Sequence, residues 1–187
     1  MVYIIDDFLP ENILEKLNNH LVDFKEIDTG AKKFWVMDTI PDFEKWVENK
    51  ISKMEGKKIK SILSFFRVAT DKLDTDWRIH CDSIINNDLP KRAIVLYLSD
   101  KGTNKLNGTA LWEHKDYGIK LPYEELSTDT YNNLILNEAE NLDNWKLNTV
   151  IGYKKNRLLS YPSNYFHSKY PNKSWKEGRK VFVMFYK

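Results

Sequence analysis

The chain has 187 residues, 42% apolar and 13% aromatic, with 29 basic and 27 acidic residues mixed along its length for a net charge of +2. That length suits one domain with a sizeable core, and the charge balance leaves no basic footprint for long nucleic acid. The single cysteine, Cys81, excludes an intrachain disulfide, and no segment approaches the ~20 apolar residues of a membrane span.

The chain opens with the acids Asp6 and Asp7 where a signal peptide carries bases. A soluble cytoplasmic protein with no membrane partner is therefore expected. Residues 10–24 carry Ile13, Leu14, Leu17, Leu21 and Phe24 on one helical stripe, with Pro10 suited to a first turn. Residues 41–54 repeat the pattern with Phe43, Trp46, Val47, Ile51 and Met54, and Gly56 follows as a stop.

From about residue 59 the texture changes to strands. Segments 59–68, 77–84, 92–99, 109–114, 147–153, 157–161, 165–169 and 179–186 are rich in β-branched and aromatic residues. Gly, Asn, Asp or Pro punctuate most of the breaks. Eight strands suit a double-sheet jelly roll. The expected organisation is one domain over 1–187: a helical support layer at 1–58, then a jelly-roll core at 59–187. A polar, partly helical insertion interrupts the core at about 117–146, as a lid or a surface excursion.

The second strand carries chemistry. Side chains alternate along a strand, so Trp77, Ile79 and Cys81 share an apolar face and Arg78, His80 and Asp82 share the other. A histidine and a carboxylate two residues apart can grip one metal; the alternative is a polar outer face. His114-Lys115-Asp116 is a second His-x-Asp, but it reads as a strand end running into a solvated turn, with His114 at the surface or at a pocket rim. His167 follows in Tyr165-Phe166-His167, and His20 lies on the polar side of the first helix with no role. Two histidines and one carboxylate form the facial set that leaves iron positions open for oxygen chemistry.

The last strand, Arg179 to Tyr186, is apolar on both faces beyond its first two residues, as in a buried central strand. Arg179 shares a face with Val181, Val183 and Phe185, and Lys180 points the other way. A guanidinium entering a core needs an anion, and its planar fork fits a carboxylate two-pronged. That anion is either a dicarboxylic co-substrate or a local acid such as Glu177. Arg67, Arg78, Thr109, Trp112 and Tyr161 are further pocket candidates, although Trp112 is the better fit to the core.

These pieces, taken in order, resemble the Fe(II)/2-oxoglutarate-dependent oxygenases, closest to the prolyl-hydroxylase-like branch. His80-Cys81-Asp82 is similar to the family's His-x-Asp ligand pair. The strand from Arg92 to Asp100, with Tyr97 before Leu98-Ser99, is similar to its next strand. Asn107-Gly108-Thr109-Ala110-Leu111-Trp112 resembles its Gly-Gly-x-Leu strand, with Asn107 in place of the first glycine. The segment from Asn156 to Ser163 resembles the strand leading to the distal histidine, here His167. Gly178-Arg179-Lys180-Val181 resembles the segment whose basic residue holds the co-substrate.

The resemblance implies a mainly β, α+β double-stranded β-helix (a jelly roll) with N-terminal helices packed on one sheet. It implies iron held by His80, Asp82 and His167, and 2-oxoglutarate held at its far carboxylate by Arg179, with Tyr97 as a hydroxyl donor. O2 would complete the reaction, releasing succinate and CO2 and hydroxylating a C–H bond of an unidentified substrate: a protein residue, an amino acid or a small metabolite. Two departures stand out. The interval from Asp82 to His167 is long, which the insertion explains. Val181 stands where many relatives have serine, and the loop from Tyr170 to Trp175 is expected over the site. The alternatives are a non-catalytic jelly-roll binding module and a metal-dependent jelly-roll enzyme without 2-oxoglutarate. The sequence leaves the oligomeric state open.

Overall fold

The computed structural model describes residues 1–28, 33–70, 76–99, 107–171 and 178–187. In chain order these form β1 (Tyr3–Ile5), α1 (Glu11–His20), the strands β2 (Lys25–Asp28) and β3 (Lys33–Asp38), α2 (Pro41–Glu55), β4 (Ser61–Ala69), β5 (Arg92–Tyr97) and β6 (Gly108–His114). A short helix α3 (Asp129–Asn133) follows, then β7 (Trp145–Gly152), β8 (Leu158–Pro162), β9 (His167–Tyr170) and β10 (Arg179–Tyr186).

Two antiparallel sheets face each other. The larger has seven strands in the order β1-β8-β5-β10-β4-β3-β2, and the smaller has three in the order β7-β6-β9. Strand alternation builds two cores at once. On β5 and β10, Ile94, Leu96, Phe182 and Met184 turn outward to meet Leu14, Leu17, Val47 and Ile51 of the helices. The intervening Val95, Tyr97, Val181 and Val183 turn inward to meet Leu111 and Ile151 of the small sheet. The central strand β10 is therefore buried on both faces, as its composition indicated.

The helices match the sequence reading, with one difference at an end. The first helix stops at His20, short of Phe24, and gives way to β2. The second ends where Gly56 adopts φ 67°, and the Gly56 N–H donates to Ser52 O, a left-handed cap that glycine adopts without strain. The 1–58 segment supplies strands as well as helices: β1 pairs with β8, and the β2–β3 hairpin extends the sheet from β4.

Residues 77–84 are extended but do not form a strand. His80 makes an isolated bridge to His167. The backbone bonds of the segment go to separate partners: the Ile79 N–H donates to Ala139 O at 3.1 Å and the Asp82 N–H to Ser163 O at 2.8 Å. It is held like a rail between the small sheet and the insertion rather than in one ladder.

The insertion packs on the outer face of the small sheet. Its Leu121, Leu126 and Leu134 cover Ile79, Cys81, Ala110, Trp112 and Phe166. Ser83 Oγ donates to Leu126 O at 2.6 Å, and Tyr131 Oη donates to Cys81 O at 3.3 Å. Burial raises the Cys81 thiol well above its ordinary range, which fits a packing role.

Candidate metal centre

His80, Asp82 and His167 converge between the sheets, with one ligand atom of each lying within 4.8 Å of the others. His167 Nε2 stands 3.9 Å from Asp82 Oδ1. The two imidazoles reach this point by the same local device. His80 Nδ1 lies 2.8 Å from the carbonyl oxygen of Arg78, and His167 Nδ1 lies 2.9 Å from that of Tyr165. A carbonyl only accepts, so each Nδ1 carries a proton and Nε2 is the nitrogen of each ring left for a metal. Burial, and then the neighbouring His80, hold the His167 imidazole well below its usual range, so it is neutral, as a ligand must be.

Two neutral imidazole nitrogens and one carboxylate are the donor set of a facial Fe(II) site. The residues therefore fit that ion. A cavity opens beside them, lined by Arg67, Arg78, Thr109, Tyr161 and Arg179 among others. Arg78 is held two-pronged by Asp76, at 3.0 and 3.3 Å.

Arg179 is 7% exposed, at the first position of β10. Its Nη2 donates to Thr109 Oγ1 at 3.4 Å, and its guanidinium lies 5.4 Å from the Tyr97 ring. Thr109 Oγ1 is also 2.7 Å from Tyr97 Oη. Thr109 and Arg179 line the cavity and Tyr97 stands behind them, its hydroxyl pushed up in pKa by burial. Tyr153 stacks on Tyr97 with ring centroids 4.4 Å apart. Gly108 lets β6 come close enough to place Thr109 here: a Cβ on it would meet Ile151 O at 1.9 Å.

Four of the five further pocket candidates, Arg67, Arg78, Thr109 and Tyr161, line the cavity. Trp112 instead packs under the insertion. Lys180 turns to the helix side, where its Nζ donates to Leu21 O. His114 is a correction to the sequence reading. It is 2% exposed rather than at a surface or rim, because the insertion covers it and Glu138 Oε2 lies 3.0 Å from its Nε2. Asp116 of the same His-x-Asp is exposed and stays local to His114, its N–H donating to His114 Nδ1 at 3.2 Å, with no group of three metal-ligating side chains around them among the described residues. Glu177 and residues 172–175 of the expected covering loop lie outside the described residues. Asp76, Ser168 and Lys169 also line the cavity, and the sequence reading does not reach them. Lys169 had a signal, since it stands two residues beyond His167 and so shares its strand face.

No protein-family model and no curated protein sequence matches the chain. Solved structures do. HygX from Streptomyces hygroscopicus, with nickel, 2-oxoglutarate and hygromycin B bound, superposes with a TM-score of 0.63 at 12% identity, over 99% of this chain and 82% of its own. The alpha-ketoglutarate-dependent epimerase SnoN from nogalamycin biosynthesis gives 0.64 at 10% identity, over 99% and 77%. A Pseudomonas putida prolyl-4-hydroxylase gives 0.56 at 10% identity, over 100% and 91%. These proteins differ in reaction, and the likeness does not single out the prolyl-hydroxylase branch. At such identities it shows the architecture: the chain is a mainly β, α+β double-stranded β-helix with N-terminal helices on its larger sheet.

Proposed function

We propose that this protein is an Fe(II)- and 2-oxoglutarate-dependent oxygenase that hydroxylates a C–H bond of its substrate. The observation that carries the reading is the convergence of His80, Asp82 and His167 on a cavity that also holds the buried guanidinium of Arg179. His80 and His167 would present Nε2 to the iron, and Asp82 its carboxylate. Bound iron supplies, with O2 and 2-oxoglutarate, the oxidising power, and succinate and CO2 leave.

The chain's own residues do the rest. Arg179 pairs with the far carboxylate of the co-substrate, a two-pronged and charge-assisted contact. Thr109, with Tyr97 behind it, adds hydroxyls at the same end of the cavity. Val95, Val181 and Val183 form apolar walls that exclude water from the reacting end. The reading favours an enzyme over a binding module, because the full ligand set is present. It favours 2-oxoglutarate over a keto-acid-free reaction, because Arg179 sits inside the cavity.

The test is thermal unfolding with Zn(II) as an inert metal. Zn(II) with 2-oxoglutarate should raise Tm well above Zn(II) alone, a ligand at one hundred times its Kd contributing about 2.7 kcal/mol. Glutarate, which lacks the keto oxygen, should stabilise much less. Equal effects of the two acids, or none, would contradict the reading.

A further inference from the structure

Tyr161 stands on β8 in the wall of the metal cavity and is 3% exposed. Its ring packs on that of His167, with centroids 4.7 Å apart. Among the described residues its hydroxyl makes no hydrogen bond. A buried donor without a partner is costly, and a phenylalanine would pack on His167 equally well. The hydroxyl at this position is explained by an acceptor that enters the cavity.

Strand register puts the hydroxyl at the metal end. Tyr161 pairs with Ala93 of β5, and Ala93 with Phe185 of β10. Arg179 lies on the same face of β10 six residues before Phe185, about 20 Å along the strand. Tyr161 and Arg179 both line the cavity, so they reach into it from opposite ends, with Val95 and Val183 paired between them. The small sheet gives the same order. Thr109, which meets Arg179, pairs with Lys169, and His167 pairs with Leu111, two residues on.

The acceptor is narrowed by the space that Tyr161 faces. A second groove, lined by Ile27, Leu63, Ile84 and Tyr131 among others, meets the cavity at His80 and Asp82. Tyr161 lines the cavity but not this groove, as do Thr109 and Arg179. It therefore shares its space with the residues assigned to the co-substrate, and not with the groove through which a further molecule would approach.

We infer that Tyr161 donates a hydrogen bond to the carboxylate of 2-oxoglutarate that adjoins the keto group, while Arg179 holds the opposite carboxylate. The assignment rests on the oxygenase reading and adds to it a binding residue for the keto-acid end. A phenol donates where a carboxylate accepts, and the charge of the acceptor roughly doubles the strength of the bond.

The experiment is calorimetry on the Zn(II)-loaded protein, titrated with 2-oxoglutarate and with 2-oxopentanoate, which keeps the keto-acid end and lacks the far carboxylate. Tyr161→Phe should weaken both at least about tenfold, the margin of a hydrogen bond to a charged group. Arg179→Ala should weaken 2-oxoglutarate alone. With Fe(II) under anaerobic conditions, the charge-transfer band of the Tyr161→Phe chelate should move to shorter wavelength, because the lost hydrogen bond raises the acceptor orbital of the keto acid. Without metal or acid, Tyr161→Phe should melt no lower than wild type, since no bond within the fold is removed. A Tyr161→Phe protein that binds both acids as wild type does and keeps its band position would overturn the assignment and leave the oxygenase reading standing. A loss confined to 2-oxoglutarate would put Tyr161 at the far end and overturn it too, as would an unloaded variant that melts below wild type. A wild-type protein that responds to neither acid would overturn the oxygenase reading and this assignment with it.

Discussion

His80 and His167 form a reciprocal backbone pair. The His80 N–H donates to His167 O at 3.0 Å, and the His167 N–H donates to His80 O at 2.7 Å. Residues paired this way in an antiparallel ladder project their side chains to one side, and the two rings stand with centroids 4.4 Å apart. Residues 87 positions apart in the sequence are thus held side by side by the backbone itself.

The tautomers follow from that geometry. In metal-free protein at neutral pH, nitrogen-detected NMR should show both imidazoles protonated at Nδ1, where Arg78 and Tyr165 carbonyls accept. A bare Nδ1 in either ring would contradict the donor geometry.

Arg179 and Tyr97 should differ in what they contribute to 2-oxoglutarate affinity. Arg179→Ala removes one partner of a buried charge pair and should raise the dissociation constant on the order of 100-fold. Tyr97→Phe removes one hydroxyl behind Thr109 and should cost about 1 kcal/mol, or roughly fivefold. Titration of the metal-loaded protein checks both; equal losses would contradict the assignment.

The insertion should brace the ligand segment. Leu134 is 2% exposed and packs with Ile79 and Cys81. Leu134→Ala should lower unfolding free energy by about 2–5 kcal/mol and also weaken metal binding, because Ile79 and Cys81 flank His80. Denaturant melts and metal titration test the two effects together; a stability loss with unchanged metal affinity would separate the insertion from the site.

Acid stability has one identifiable contributor. Arg157 Nε stands 2.6 Å from Asp6 Oδ1, and that contact, with Lys154, holds the Asp6 carboxyl at about 2. The folded value lies below the unfolded one. The native state therefore binds fewer protons, and the contribution is present above about pH 4 and lost as pH falls towards 2. The Asp6 side chain is 38% exposed, so solvent screening keeps the effect under about 1 kcal/mol. Asp6→Asn should be slightly less stable than wild type at neutral pH and equal to it near pH 2. A difference that grows on acidification would contradict the sign.

Much of the site was legible because strand periodicity is local. The alternation around His80 separates His80 and Asp82 from the packing residues Ile79 and Cys81, and the two-faced apolar run of β10 marks a central strand with Arg179 inside. The failures were tertiary. The β2–β3 hairpin has a charged, exposed first strand that only the edge of a large sheet makes regular. The 77–84 segment has strand composition, but its hydrogen bonds are divided among β9, the turn before it and the insertion, so no ladder forms. The charged neighbours of His114 point to a surface or a pocket rim; what buries it is a segment that returns from 24 residues later, bringing Glu138. Thr109 gains a role only where the small sheet faces the large one and sets it against Tyr97 and Arg179.

The central claim is tested most directly by anaerobic addition of Fe(II) and 2-oxoglutarate, watching the weak visible charge-transfer band of the chelate. Wild type should develop the band, His80→Ala and His167→Ala should not, and Arg179→Ala should need far more 2-oxoglutarate to reach it. A wild-type protein that gives no band at any 2-oxoglutarate concentration, or a band that survives loss of either histidine, would contradict the account.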